Sequence, residues 1–193
     1  MKKSIEKPAN DSLRPFVHLH THTEYSLLDG IAKISELVDK AMADGMPGIA
    51  ITDHANMFGV AEFLHYVERK NRELGSSFKP IIGCEVYVAP GSRFDKEANA
   101  GDDRYYHLIL LAENNKGYEN LIKMVSLAWT EGFYTKPRID KELLEKYHEG
   151  IIALSACLAG EVQRYIMKGL YEEAKKQALK YLDCFGEGNY FLE

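Results

Sequence analysis

Cysteine is scarce in this chain, with three residues at positions 84, 157 and 184 among 193. So few and so widely spaced, they exclude a disulfide framework. No Cys-x-x-Cys pair occurs, which excludes a structural zinc finger. A reducing cytoplasm is the compartment that fits. Long apolar runs are missing too: none approaches the ~20 residues that cross a bilayer, so no membrane partner is expected. The opening stretch from Met1 to Arg14 is polar and carries no signal-peptide pattern. Net positive charge is absent, since 24 Lys and Arg stand against 29 Asp and Glu for a formal charge of −5. That argues against a broad nucleic-acid-binding surface, but not against a site that handles phosphates through bound cations. Basic residues at Lys136 and Arg138 are local. Those between Arg164 and Lys180 are interleaved with Glu161, Glu172 and Glu173, as on a solvated helix face. There is no Gly-x-Ser-x-Gly elbow, and Cys157 lacks the local signatures of cysteine enzymes, so nucleophilic catalysis is a poor fit.

What is present is an alternation of strands and helices. The length suits one domain, with residues 1–15 as a tail. Apolar residues at helical spacing predict helices over 34–43 and 60–74. Further helices are expected over 116–130, from Asp140 as cap to about 147, over 160–168 and over 170–185. Apolar runs predict strands at 48–52, 79–89, 105–112, 151–155 and 189–192. The stretch 90–104 reads as an irregular, mobile loop, and 132–137 as a connection. Alternation of this kind implies βαβ units and a parallel sheet. Polar residues follow several different strands, and no Gly-rich phosphate loop is present. A barrel with its site at the carboxyl ends of the strands therefore fits better than an open doubly wound sheet.

The densest chemistry lies in Phe-Val-His-Leu-His-Thr-His-Thr-Glu-Tyr-Ser-Leu-Leu-Asp-Gly, residues 16–30. On a strand, His18, His20 and His22 would share one face. Three imidazoles so placed, with Asp29 behind them, suit a shared metal ion, against the plainer reading of a polar strand end. Asp53 and His54 follow an apolar strand directly. His54 could reach a barrel mouth while Asp53 orients a ligand, or Asp53 could simply cap a helix. Glu85 sits among Ile81, Ile82, Cys84, Val86 and Val88, where a carboxylate is costly unless paired or bound to a cation. Cys84 points to the opposite face, into the core. His107, inside an apolar strand, is a ligand or a hydrogen-bonded core residue. Cys157 and Cys184 read on their own as buried small hydrophobes, and His65 and His148 as surface residues.

His-Leu-His-Thr-His, Ile-Thr-Asp-His and Gly-Cys-Glu-Val, in that order, resemble the successive motifs of the polymerase and histidinol phosphatase (PHP) superfamily. The longer forms His-Leu-Ile-Leu-Leu-Ala-Glu-Asn-Asn-Lys-Gly-Tyr-Glu-Asn-Leu and Leu-Ser-Ala-Cys-Leu-Ala-Gly-Glu are similar to those of its members at the amino terminus of bacterial replicative DNA polymerase alpha subunits. The resemblance runs from Phe16 to the last residue. It implies an α/β fold, a distorted, TIM-like seven-stranded β/α barrel. It also implies a cluster of up to three divalent ions, zinc or manganese, with the thiolate of Cys157 favouring zinc at one position. The implied ligands are His20, His22, Asp29, His54, Glu85, His107 and Cys157, with His18 as an outer or extra ligand. The implied activity is a metal-dependent 3′–5′ exonuclease or phosphoesterase, by metal-assisted phosphodiester hydrolysis in which Asp53 or a non-bridging ligand helps to manage a proton of the attacking water. The alternatives are a non-catalytic module that stabilises the polymerase and a free-standing phosphatase. DNA, reached through the whole polymerase, and other subunits of its holoenzyme are the implied partners. The family's last motif, an Asp-x-His, lies beyond Glu193, so the resemblance predicts a domain over 16–193 whose barrel is incomplete at its carboxyl end.

Overall fold

The computed structural model describes residues 15–97 and 104–193. The tail expected over 1–15 lies, Pro15 apart, outside the described residues, and so do residues 98–103 of the expected loop. Helix α1 (Ile34–Ala43) buries Ile34, Val38 and Ala41, the spacing that keeps one face inward. Helix α2 (Val60–Leu74) buries Val60, Phe63 and Val67, and stops at Gly75, which takes the left-handed conformation that ends helices readily. Together they close over strand β1 (Gly48–Ile51), whose residues are all buried.

The rest of the chain builds a larger layer. Strands β2 (Lys79–Val88), β3 (Tyr106–Ala112) and β6 (Ile151–Leu154) form its centre. Helices α3 (Asn115–Thr130), α4 (Lys141–Tyr147) and α6 (Tyr171–Phe185) contribute to the main core on its outer face, around Cys84, Val86, Leu108, Leu110, Met124 and Tyr181. Asp140 caps α4 as expected, its carboxylate accepting from the Leu143 N–H. A short helix α5 (Glu161–Met167) and strand β7 (Tyr190–Phe191) complete this half.

Three expectations about the sheet are corrected. It is not all parallel, because β3 runs antiparallel to both β2 and β6. A parallel return needs a crossover, usually helical, and the described part of the β2–β3 connection holds no helix. Next, the stretch 132–137 is no plain connection. It holds a tight hairpin of β4 (Phe133–Tyr134) and β5 (Lys136–Ile139), turning at Thr135 with φ of 60°. The histidine segment, thirdly, is extended but not a strand. It lies beside β1 through bonds from the Ala50 and Thr52 N–H groups to the carbonyls of His18 and Thr21. In keeping with the incomplete barrel expected, the sheet is not closed: the order is β4-β5-β2-β3-β6-β7, with β1 beside the first half of β2.

The mixed directions still deliver chemistry to one end. The segment ending in His22, β1 and β6 all run toward it, and β3 starts from it at His107. On β2, Glu85 and Tyr87 face inward while Cys84, Val86 and Val88 face the outer core, as strand alternation requires. Below Glu85 the inner face is a small apolar cluster of Ala50, Ile109, Leu111, Leu154 and Ala156. It borders an open groove of about 640 Å³ between Phe16, Leu19 and Phe191.

Candidate metal centre

Glu85 is the hub. Its side chain is 1% exposed, and four imidazoles converge on its two oxygens. His20 Nε2 donates to Oε2 at 2.6 Å, and His22 Nε2 stands 3.3 Å from the same oxygen. His107 Nδ1 lies 2.6 Å from Oε1, and His54 Nδ1 lies 2.9 Å from it. These last two approaches are short but lack hydrogen-bond geometry, so Oε1 and His54 Nδ1 are buried with no hydrogen-bond partner. Burial pushes the Glu85 carboxyl up, but His107, His20, His22 and His54 outweigh it and hold the group well below the usual carboxylate range. Burial likewise pulls His20 down, yet Glu85 and Glu193 raise it above its ordinary value. His54 is raised by Glu85, against burial, with help from Asp29. Both shifts favour a positive charge beside Glu85.

Why the rings point inward is set by the turn that follows them. Asp53, 3% exposed at the end of β1, accepts from the Thr23 N–H and the Thr23 hydroxyl, each at 2.7 Å, and from the Ser26 hydroxyl at 2.6 Å. Ser26 Oγ has one proton and gives it to Asp53, so at 2.8 Å it accepts from His22 Nδ1–H. That leaves the lone pair of the neutral ring on Nε2, aimed at Glu85 Oε2 and at His20 Nε2, each 3.3 Å away. Two acceptors facing each other are reconciled by a proton or a metal ion between them. The ligand atoms of His20, His22 and Glu85 all fall within 4.8 Å of one another, and these three fit a metal ion.

The expected ligands therefore converge, with differences of degree. Asp29 is exposed and reaches the cluster through His54, its Oδ2 2.8 Å from Nε2. Cys157 is exposed, not buried, because Ala156 takes φ of 65° and turns the chain outward. Its Sγ stands 3.6 Å from His107 Nδ1. His18 is not brought in; it is exposed and packs edge-on against Phe16. Cys84 is fully buried, donating to the Asp53 carbonyl, and burial pushes its thiol far up. His65 and His148 are at the surface.

Sequence reasoning missed several members. Ser26 and Thr23 act only through the turn, and hydroxyls in a loop give no pattern to find. Glu193 Oε1 stands 3.1 Å from His20 Nδ1. Tyr87 and Tyr105 flank His107, with ring centroids 5.1 and 6.0 Å away, and Tyr87 also stacks on His54. The alternation of β2 could have found Tyr87, two residues from Glu85.

Comparison with known proteins bears on what this cluster is. The family model described as PHP domain matches residues 18–193. A DNA polymerase III subunit alpha of Treponema pallidum is 49% identical over 178 residues, covering 92% of this chain and 15% of its own length. The subunit of the same description from Deinococcus radiodurans is 46% identical over 198 residues, covering 98% of this chain and 14% of its own. The chain thus spans about 15% of the length of the first of these relatives and 14% of the second. Among solved structures, an amidohydrolase from Chromobacterium violaceum with bound sulfate and no metal is 22% identical, with a TM-score of 0.39. The match covers 58% of this chain and 33% of that one.

Proposed function

The chain belongs to the PHP domain family, and on that premise we propose that its histidine–glutamate cluster holds divalent cations and serves phosphodiester hydrolysis at the 3′ end of a nucleic acid. The observation that carries this reading is Glu85. A carboxylate at 1% exposure with one oxygen unpartnered calls for positive charge beside it, and the four imidazoles that ring it can supply protons or ligate a cation. The donor set fits: His20, His22 and Glu85 would hold one ion, and His54, His107, Asp29 and Cys157 would extend the group. Imidazole with carboxylate suits zinc or manganese, and the thiol of Cys157 favours zinc at its position. A divalent cation there supplies charge to a phosphodiester and acidifies water.

The chain's own residues supply the rest. Asp53 has both oxygens engaged by Thr23 and Ser26, so we assign it to positioning His22 rather than to handling the proton of water. Asp29 fixes the ring of His54. The open sheet is read as part of a seven-stranded β/α barrel, and the whole protein as a DNA polymerase III alpha subunit working on DNA with other holoenzyme subunits. A second reading, a metal-stabilised structural module, is favoured by one observation. The donors come from five segments far apart in sequence, so a bound ion would tether them.

The test pairs metal content with turnover. After dialysis the chain should retain zinc or manganese and shorten a 5′-labelled single strand from its 3′ end. The double variant His20→Ala, His54→Ala should do neither. A folded, metal-free wild-type chain sinks the reading, and metal without trimming gives the structural reading the lead.

A further inference from the structure

The phosphodiester reading leaves a problem of charge. Glu85, Asp29 and Glu193 surround the cluster, and a nucleic-acid strand brings more negative charge to it. The β4–β5 hairpin stands beside this end with the opposite chemistry. Lys136 is exposed and has no carboxylate partner among the described residues. Its Nζ lies 5.6 Å from the centre of the Tyr87 ring. Tyr87 in turn stacks 6.0 Å from His54 and stands 5.1 Å from His107.

A second set of contacts fixes the hairpin at the same place. Trp129 Nε1 donates to the carbonyl of Ala55, the residue after His54, at 2.8 Å. Phe133 on β4 stacks on Trp129 with centroids 5.8 Å apart, and the two rings stay 47% and 45% exposed. Buried Arg138 ties the hairpin's other strand to the carbonyls of Arg93 and Asp95. A cation and exposed aromatic faces, held rigidly at the mouth of a site, are what sequence-tolerant binding of a single strand uses.

We propose that this hairpin is the nucleic-acid-binding edge of the cluster, with Lys136 taking a backbone phosphate and Phe133 offering its face to a nucleobase. This rests on the phosphodiester reading and names the element that holds its substrate. The surface is narrow, which agrees with a net charge of −5.

The test measures binding of a fluorescent oligothymidylate by anisotropy over a range of salt, with metal content followed in parallel. Lys136→Gln should weaken binding about five- to tenfold and reduce the salt slope by about 0.7, the share of one phosphate contact on a single strand. Lys136→Arg should restore both. Phe133→Ala should weaken binding about tenfold and Phe133→Tyr little, as loss of one stacked base predicts. Metal content should not move in any of the four. Wild-type affinity and slope in Lys136→Gln, or no saturable binding by the wild-type chain, overturns the proposal. Loss of metal from the wild-type chain overturns the reading of the cluster instead, and is seen separately.

Discussion

Asp53 shows how much of the site is decided away from the ligands. It touches none of the four imidazole nitrogens that meet Glu85, yet through Ser26 it dictates which nitrogen of His22 carries the proton. Replacing it with Asn puts an N–H₂ group where one of the Thr23 or Ser26 protons now points. Outer-shell changes of this kind typically cost 10–100-fold in metal affinity, and a buried donor left unpaired costs about 1–3 kcal/mol. Asp53→Asn should therefore lower zinc affinity about 10–100-fold in a calorimetric titration and lower the unfolding free energy by about 2 kcal/mol. A variant with unchanged affinity would free His22 from this control. Glu85, His54 and His107 could be read from the sequence because each interrupts or ends an apolar run. Ser26 could not, since nothing in its neighbourhood distinguishes a hydroxyl that orients a ring from one that faces water. Taken alone, Cys157 reads as a buried small hydrophobe, because the left-handed turn at Ala156 that precedes this exposed thiol has no sequence mark.

Elements show a similar division. Helices α1 and α2 match their expected limits because periodic burial and terminal glycine are local signals. The hairpin is not visible in the sequence: Lys136, Pro137 and Arg138 do not look like a strand, and β5 qualifies because β4 pairs with its first residues and Tyr87 and Val88 of β2 with its last. Close approaches between elements were equally hidden. At Gly117, in the first turn of α3, an added Cβ would stand 1.8 Å from the carbonyl oxygen of Gly150, ahead of β6. That oxygen belongs to backbone in its own left-handed turn, with φ of 72°, so neither side can yield cheaply. Gly117→Ala should destabilise the chain by about 1–3 kcal/mol in denaturant unfolding. The contact lies behind the sheet from Glu85, so metal stoichiometry below the transition should be unchanged. A neutral substitution would mean that α3 slides easily against the β6 turn.

At the scale of the whole molecule, the ligands meet at one end of the inner face, beyond the apolar cluster through which Ala50 joins the two halves. His20 and His22 precede α1, His54 follows β1, Glu85 and His107 lie on the paired strands β2 and β3, and Cys157 follows β6. This convergence and an incomplete barrel were implied by the resemblance, whereas the reversed β3 was not, because strand direction depends on whether a crossover helix intervenes. An ion that binds the folded chain and not the unfolded one adds about 2.7 kcal/mol when present at a hundred times its dissociation constant. For a chain of this length each kcal/mol moves the midpoint by about 2–4 °C. Removing metal with a chelator should therefore lower Tm by about 5–10 °C, reversibly on adding zinc or manganese. The shift should vanish in Glu85→Gln, which keeps the shape of the hub but not its charge. If the chelator shifts wild type and Glu85→Gln alike, the ion sits elsewhere and the cluster around Glu85 is held by its protons alone.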